Sequence, residues 1–221
     1  MEISGHGNPS AMLLETERSF IGLPVSSKAA ATKAHILAKA AILFNQQGYA
    51  GTSMADLMAA TGLQKGGIYN HFRNKDELAL AAFDVAVSQI QAQFMGAIRG
   101  QRHAVDRLVA LLRVYSSIVE APPLPGGCPI LNTAIDSDDT HPALRDRARQ
   151  AMDGWRHLIH RILEKGQLRQ ELRSDLDAEA VATVIIATLE GAVMLSKLYG
   201  ESIYMERTLA HLETYVQTQL T

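Results

Sequence analysis

The stretch TGLQKGGIYNHFRNKDEL, residues 61–78, gathers side chains suited to a polyanion. Gln64 carries an amide that pairs with adenine, and Lys65 an ammonium that reaches the acceptor edge of guanine. Tyr69 offers a phenol and His71 a ring N–H, both matched to phosphate oxygens. Lys75 lies beside the start of the next helix, where backbone N–H groups favour anions. Thr52 and Ser53, opening the preceding helix, are placed to do the same. Each residue also has a plainer reading: Tyr69 and His71 as packing or capping groups, Lys65 and Lys75 as solvated charges.

Two glycines weigh on that choice. Leu63, Ile68 and Phe72 mark one apolar face of a short helix, yet Gly66 and Gly67 stand near its start. Each glycine costs about 1 kcal/mol relative to alanine. What the helix gains is an exposed end without side-chain bulk, able to bring its backbone close to base edges or phosphates.

The flanking sequence supplies the elements that hold this helix. Ile36, Ala40, Leu43 and Phe44 predict a first helix over 32–47, stopped by Gly48. Ser53 and Asp56 form a capping pattern for a second helix running to Thr61. Gly62 turns the chain into a third helix over 64–71, which is the layout of a helix-turn-helix. Asn74 and Glu77 open a long fourth helix with Ala79, Phe83, Ala86, Val87, Ile90 and Phe94 on one face, ending near Gly96 or Gly100. Further helical segments are expected over 104–120, 129–137, 142–167, 177–199 and 203–220, with APPLPGGCP at 121–129 as the strong interruption. No strand alternation competes, so the expected fold is all-α.

Charge supports the same reading. Lys28, Lys33, Lys39, Lys65, Arg73 and Lys75 against Asp56 leave residues 28–75 at +5, so a net charge of −2 puts −7 on the rest. A basic segment on an acidic body points to nucleic acid. A membrane is the lesser expectation, because these cations do not share one amphipathic helix. Residues 1–27 read as a flexible leader without the pattern of a secretory signal. The single Cys128 makes no internal disulfide, and together these features point to the cytoplasm. No nucleophile elbow or phosphate loop argues for an enzyme. Asp136, Asp138, Asp139 and His141 read better as loop caps than as metal ligands, and His157 and His160 lack a third ligand. No cofactor is implied.

Residues 36–83 closely resemble the N-terminal DNA-binding domain of TetR/AcrR-family transcriptional regulators. The matching marks are Phe44, Gly48-Tyr49, Thr52-Ser53, Gly62, the run Lys65-Gly66-Gly67-Ile68-Tyr69-Asn70-His71-Phe72, and Lys75-Asp76-Glu77-Leu78. The resemblance implies a three-helix helix-turn-helix domain over 28–75 and a helical ligand-binding and dimerisation domain over 76–221, joined by a connecting helix over 75–96. It implies base-proximal positions for Gln64, Lys65 and Gly66, phosphate contacts for Tyr69, His71 and Lys75, and Gly67 and Asn70 within the reading helix. It also implies a homodimeric repressor released from double-stranded operator DNA by a small-molecule or reactive inducer. A constitutive DNA-binding protein without an inducer is the alternative.

In the larger domain, GGCPILN at 126–132 resembles the Gly-Cys-Pro-x-x-Asn segment of a subgroup of these regulators, where it leads into a helix beside the ligand cavity. Phe94, Tyr115, Cys128, Asn132, Met152, Trp155 and Met194 are the pocket candidates, mixing apolar surface with a few polar groups. Cys128 is either an inert buried thiol or, if exposed as thiolate, a sensor. For the dimer surface the candidates are Val181, Val184, Ile185, Thr188, Leu189 and Val193 on one helix and Leu209, Leu212 and Val216 on the last. The alternative is that these stripes fill the monomer's own core.

Overall fold

The computed structural model describes residues 28–221, and the expected leader at 1–27 lies outside them. The described residues form α1 (Lys28–Gly51), α2 (Met54–Thr61), α3 (Lys65–Tyr69), α4 (Lys75–Ala97), α5 (Ala104–Glu120), α6 (Pro129–Ser137), α7 (Pro142–Leu168), α8 (Ala178–Tyr199) and α9 (Ile203–Thr218). No strand occurs among them. α1 starts earlier than expected because Ala29, Ala30 and Ala31 favour helix while adding nothing to the apolar period. Gly48, at φ 74°, interrupts α1 where a stop was expected. α3 is shorter than expected, ending at Tyr69 with the Asn70 N–H on the Gly66 carbonyl.

Two cores divide the molecule, and α4 serves both. In the smaller one Ile36, Leu57, Ile68, Phe72 and Leu78 are buried together, so α1, α2, α3 and the first turn of α4 enclose one another. Leu124 joins this core from the loop after α5. Farther along α4, Phe83, Ile90 and Phe94 enter the larger core built from α5 to α9. The boundary expected near residue 75 is therefore crossed by α4 and by Leu124. α4 and α8 are long and apolar enough to cross a membrane by composition, but here each packs against other helices of the fold.

Polar contacts at the end of α1 join the halves. Asn45 is buried, and its Nδ2 donates to the carbonyls of Pro125 at 2.9 Å and Gly127 at 3.1 Å. Asn132 Nδ2 donates in turn to Asn45 O, Asn45 Oδ1 and Gly126 O. The approach is so close that a Cβ on Gly126, itself at φ 113°, would lie 2.8 Å from Asn45. One turn on, Tyr49 gives its backbone N–H to Asp136 Oδ2 at 2.8 Å and its hydroxyl to Asp76. Its ring meets His141 edge-on at 4.5 Å. Partial burial and the Asp76 carboxylate push the Tyr49 phenol up to about 12.

Inside the larger core lies a second polar group. Tyr115 Oη donates to Glu190 Oε1 at 3.2 Å and Cys128 Sγ to the same oxygen at 3.1 Å, while Glu190 Oε2 has no partner among the described residues. Burial raises the Glu190 carboxyl, with the hydrogen bonds from Cys128 and Tyr115 pulling the other way. Burial also pushes the Cys128 thiol well up, reinforced by Glu190.

The expected dimer stripes need correction. Val181, Ile185, Leu189 and Val193 on α8 and Leu209, Leu212 and Val216 on α9 are all buried within the single chain. Val184 is half exposed, and Thr188 lies on the same outward side. α8 is apolar around most of its circumference, so the sequence period does not separate its inner face from its outer one.

Leu124→Ala should destabilise the protein by about 2–5 kcal/mol in denaturant unfolding, the range for emptying a buried leucine site. Glu190→Gln should show a pH signature. Above the ordinary glutamate range the unfolded chain loses this proton while the folded chain keeps it, so the parent's stability falls as pH rises until the folded carboxyl ionises. The variant's melting temperature should therefore gain on the parent's as pH rises above 4.5.

Candidate nucleic-acid interface

α3 is held from behind and open in front. Ile68 anchors it in the small core, and Leu63 packs at its edge. α2 is fixed by a complete capping box: Asp56 N–H donates to Ser53 Oγ at 3.2 Å, and Ser53 N–H donates to Asp56 Oδ2 at 2.8 Å. Gly62, in the left-handed region at φ 70°, closes α2 and sends the chain into α3. His35 adds a contact from α1 to the Thr61 carbonyl at 3.0 Å.

On the open side stand Gln64, Lys65, Gly66 and Asn70, with Gly67, Tyr69 and His71 partly exposed beside them. Lys65 Nζ lies 5.7 Å from the Tyr69 ring centre. A Cβ on Gly66 would meet no atom within 4 Å, and one on Gly67 would make only ordinary contact with Leu63 at 3.5 Å. Nothing inside the protein requires glycine at 66. From α1, Lys33 reaches to 5.4 Å over the Phe72 ring, and Lys28 and Lys39 are exposed.

The remaining expected contacts are placed differently. Thr52 is fully buried, and its hydroxyl donates to the Gly48 carbonyl at 2.8 Å, bracing the break in α1 instead of facing a phosphate. Ser53 is exposed, but its hydroxyl donates to Asp56 Oδ2 at 2.6 Å. Lys75 Nζ turns back to the Tyr49 carbonyl at 2.6 Å and sits 4.1 Å from the Tyr49 ring centre. Its ammonium is thus engaged by α1. Asp76 and Glu77 occupy the first turn of α4, and the Arg73 N–H and guanidinium are both taken by Glu77. The Lys75 partner lies 26 residues away and leaves no mark in local sequence, while the Thr52 partner is only four residues back but is a backbone carbonyl that no side-chain pattern announces.

Of the expected pocket residues, the structure unites only Phe94 and Trp155 at a cavity. It lies between α4 and α7 with a volume of about 260 Å³. Phe94, Tyr115 and Trp155 stack as a triad, with Phe94 and Trp155 at 5.6 Å and Tyr115 and Trp155 at 5.2 Å. Tyr115 and Cys128 belong to the buried group around Glu190 and are core residues. Asn132 belongs to the Asn45 joint and borders a hollow of only about 30 Å³. Met152 packs partly buried against the core, and Met194 is 51% exposed on the outward side of α8. The sequence reading missed Gln91, Gln150 and Arg161 at the cavity, since isolated polar residues on amphipathic helices look like solvated positions. A larger depression of about 510 Å³ lies between the end of α5, the 122–127 loop and the end of α8. Asp136 and His141, weighed as metal ligands, instead bind Tyr49 and cap Leu144 N–H. Among the described residues no three His, Cys, Asp or Glu side chains converge as a metal site.

Comparison with known proteins fits this architecture. Residues 36–82 match the family described as bacterial regulatory proteins, tetR family, and residues 104–212 match the tetracyclin repressor-like C-terminal domain. The crystal structure of a TetR transcriptional regulator from Chloroflexus aurantiacus J-10-FL is 49% identical, with a TM-score of 0.85 over 87% of this chain and 98% of that one. A TetR-family transcriptional regulator from Cytophaga hutchinsonii is 36% identical, with a TM-score of 0.78 over 86% of this chain and 96% of that one. The HTH-type transcriptional repressor DhaR of Mycobacterium sp. (strain GP1) is 25% identical over 165 residues, 74% of this chain and 81% of its own. These relatives are DNA-binding regulators and not enzymes. With its helix-turn-helix on α2 and α3 and its helical second domain, the chain belongs to the TetR family of transcriptional regulators.

Proposed function

We propose that this chain is a homodimeric cytoplasmic repressor that reads operator DNA with α3 and releases it when a small ligand fills the cavity between α4 and α7. The observation that carries the reading is the open face of α3. Gln64, Lys65 and Gly66 stand exposed there on a helix anchored from behind by Ile68. Gln64 and Lys65 take the base edges, and Tyr69, Asn70 and His71 take the phosphates. Lys33 and Lys39 on α1 add sequence-independent attraction. Thr52 and Lys75 act indirectly, by holding α1 to α2 and α4.

A partner copy is supported by the outward side of α8, where Val184, Met194, Leu198 and Tyr199 are between 50% and 70% exposed. Large exposed apolar side chains gathered along one helix in this way suit a protein–protein contact. Pairing through α8 and α9 would present two α3 helices, which must stand about 34–36 Å apart to enter successive major grooves. A ligand wedged between α4 and α7 displaces α4, whose first turn is bound to α1 through Lys75. A coupling of about 1–3 kcal/mol gives a five- to 150-fold change in DNA affinity. The buried, protonated state of Cys128 supports a reversibly bound ligand over a thiol-reactive one. The Gly126-Gly127-Cys128-Pro129 segment with Asn132 supports a place in the subgroup that carries it, since Gly126 meets Lys197, Gly127 and Asn132 meet Asn45, and Cys128 meets Glu190.

Selection of bound duplexes from a random library, followed by sequencing, tests the reading. It should recover a two-fold symmetric site, and Gln64→Ala should relax preference at one position in each half. Recovery of unrelated sequences would remove α3 as the reader. Gly66→Ala separates folding from binding. The variant should melt at or above the parent's temperature, gaining up to about 1 kcal/mol of helix propensity, while fluorescence anisotropy shows weaker binding to the selected duplex. Undiminished binding would mean that the backbone at residue 66 does not approach DNA closely.

A further inference from the structure

Resting on that reading of the cavity, we propose that its ligand is a small aromatic monocarboxylate, the ring lying against Trp155 and Phe94 and the carboxylate paired with Arg161. The cavity wall sets the shape. Phe94 and Trp155 stack with their planes only 11° apart, and Ile90, Ile130 and Leu158 complete an apolar lining. About 260 Å³ falls just below the usual range of roughly 300–1,000 Å³ for small-molecule sites. A single ring suits that space better than a fused polycycle.

Polarity sets the charge. Among the described residues no carboxylate lines the cavity, and its one ionised group is Arg161. The other arginines of α7 each approach an acid: Arg145 and Arg149 share Asp146, Arg147 meets Asp84, and Arg156 meets Asp153 and Glu179. Arg161 has no acidic partner among the described residues, although it lies on the same helix. A second, independent observation concerns Trp155, which is 6% exposed and whose indole Nε1–H lacks an acceptor among the described residues. An indole N–H only donates, and a guanidinium only donates. Both are matched by a ligand that brings acceptor oxygens, and both are left unmatched by an amine. Gln91 and Gln150, with an acceptor and a donor each, accommodate substituents of either kind.

Trp155 is the chain's single tryptophan, so its fluorescence reports directly on the cavity. The full-length protein is titrated with benzoate, phenylacetate, benzyl alcohol and benzylammonium, and each titration is repeated with Arg161→Gln and Gly154→Leu. Gly154 lines the cavity, and a Cβ there would meet no atom within 4 Å, so a leucine obstructs the space without entering the core. Thermal unfolding of Arg161→Gln should match the parent, and Gly154→Leu should melt at or above it, since leucine replaces glycine inside α7. The carboxylates should give saturable changes in emission and benzylammonium none. Arg161→Gln should weaken the carboxylates about tenfold, in line with loss of a charged hydrogen bond, and leave benzyl alcohol unchanged. Gly154→Leu should abolish all of them. Equal or tighter binding of benzylammonium, indifference to Arg161→Gln, or no response to either carboxylate overturns the proposal. Anisotropy of the selected duplex, measured in parallel, keeps the two readings apart. Carboxylate binding with DNA still held upholds this ligand class and defeats ligand release. DNA release by benzyl alcohol but by neither carboxylate does the reverse.

Discussion

A buried amide ties the two halves of this molecule together. Asn45 sits at the end of α1 with every polar atom of its side chain engaged by the 125–127 loop and Asn132. Losing one partner while the rest stay buried leaves an unsatisfied group, at about 1–3 kcal/mol. Directional bonds of this kind tolerate little sliding, because they weaken steeply with distance and angle. The joint therefore either holds α1 in one pose or lets it go. Tyr49, a turn later, repeats the pattern with Asp76, Asp136 and His141. The bare backbone at Gly126 and Gly48 follows from the same closeness, since a Cβ at either would lie under 3 Å from a partner side chain.

This joint makes the recognition helix dependent on the distant core. α3 contributes only five residues of helix and cannot stand alone. Its pose is inherited from α1 and α2, whose pose is set by Asn45, Tyr49 and Leu124. Those three in turn lean on α6 and the loop before it, which end at Cys128 and the Glu190 group on α8. A continuous chain of packed elements thus runs from the outward face of α8 to the open face of α3.

What the sequence disclosed follows from what is local. Helix positions were legible because apolar spacing and caps are near-neighbour features. Ser53 with Asp56, Asn74 with Glu77 and the turn at Gly62 all stand as the spacing predicts. The engagements of Thr52 and Lys75 were not legible because their partners are backbone carbonyls, of Gly48 four residues back and of Tyr49 across the fold, which no side-chain pattern announces. The faces of α8 were misassigned because apolar residues surround it. Glu190 went unnoticed, as an acid 62 positions from Cys128 gives no sign that it is its partner. Arg161 likewise looked like any other arginine on α7 until its lack of an acid among the described residues set it apart from its neighbours.

Both helix starts flanking α3 carry their own acids: Asp56 on α2, and Asp76 with Glu77 on α4. Ser53 and Arg73 hold the Asp56 and Glu77 carboxyls below their ordinary range, so they stay ionised at any physiological pH. On the proposed docking of α3, acids therefore stand at both neighbouring helix starts inside an otherwise basic segment, Glu77 paired with Arg73 and Asp56 held by its own cap, so the positive charge left to attract a duplex is gathered on α3 and α1.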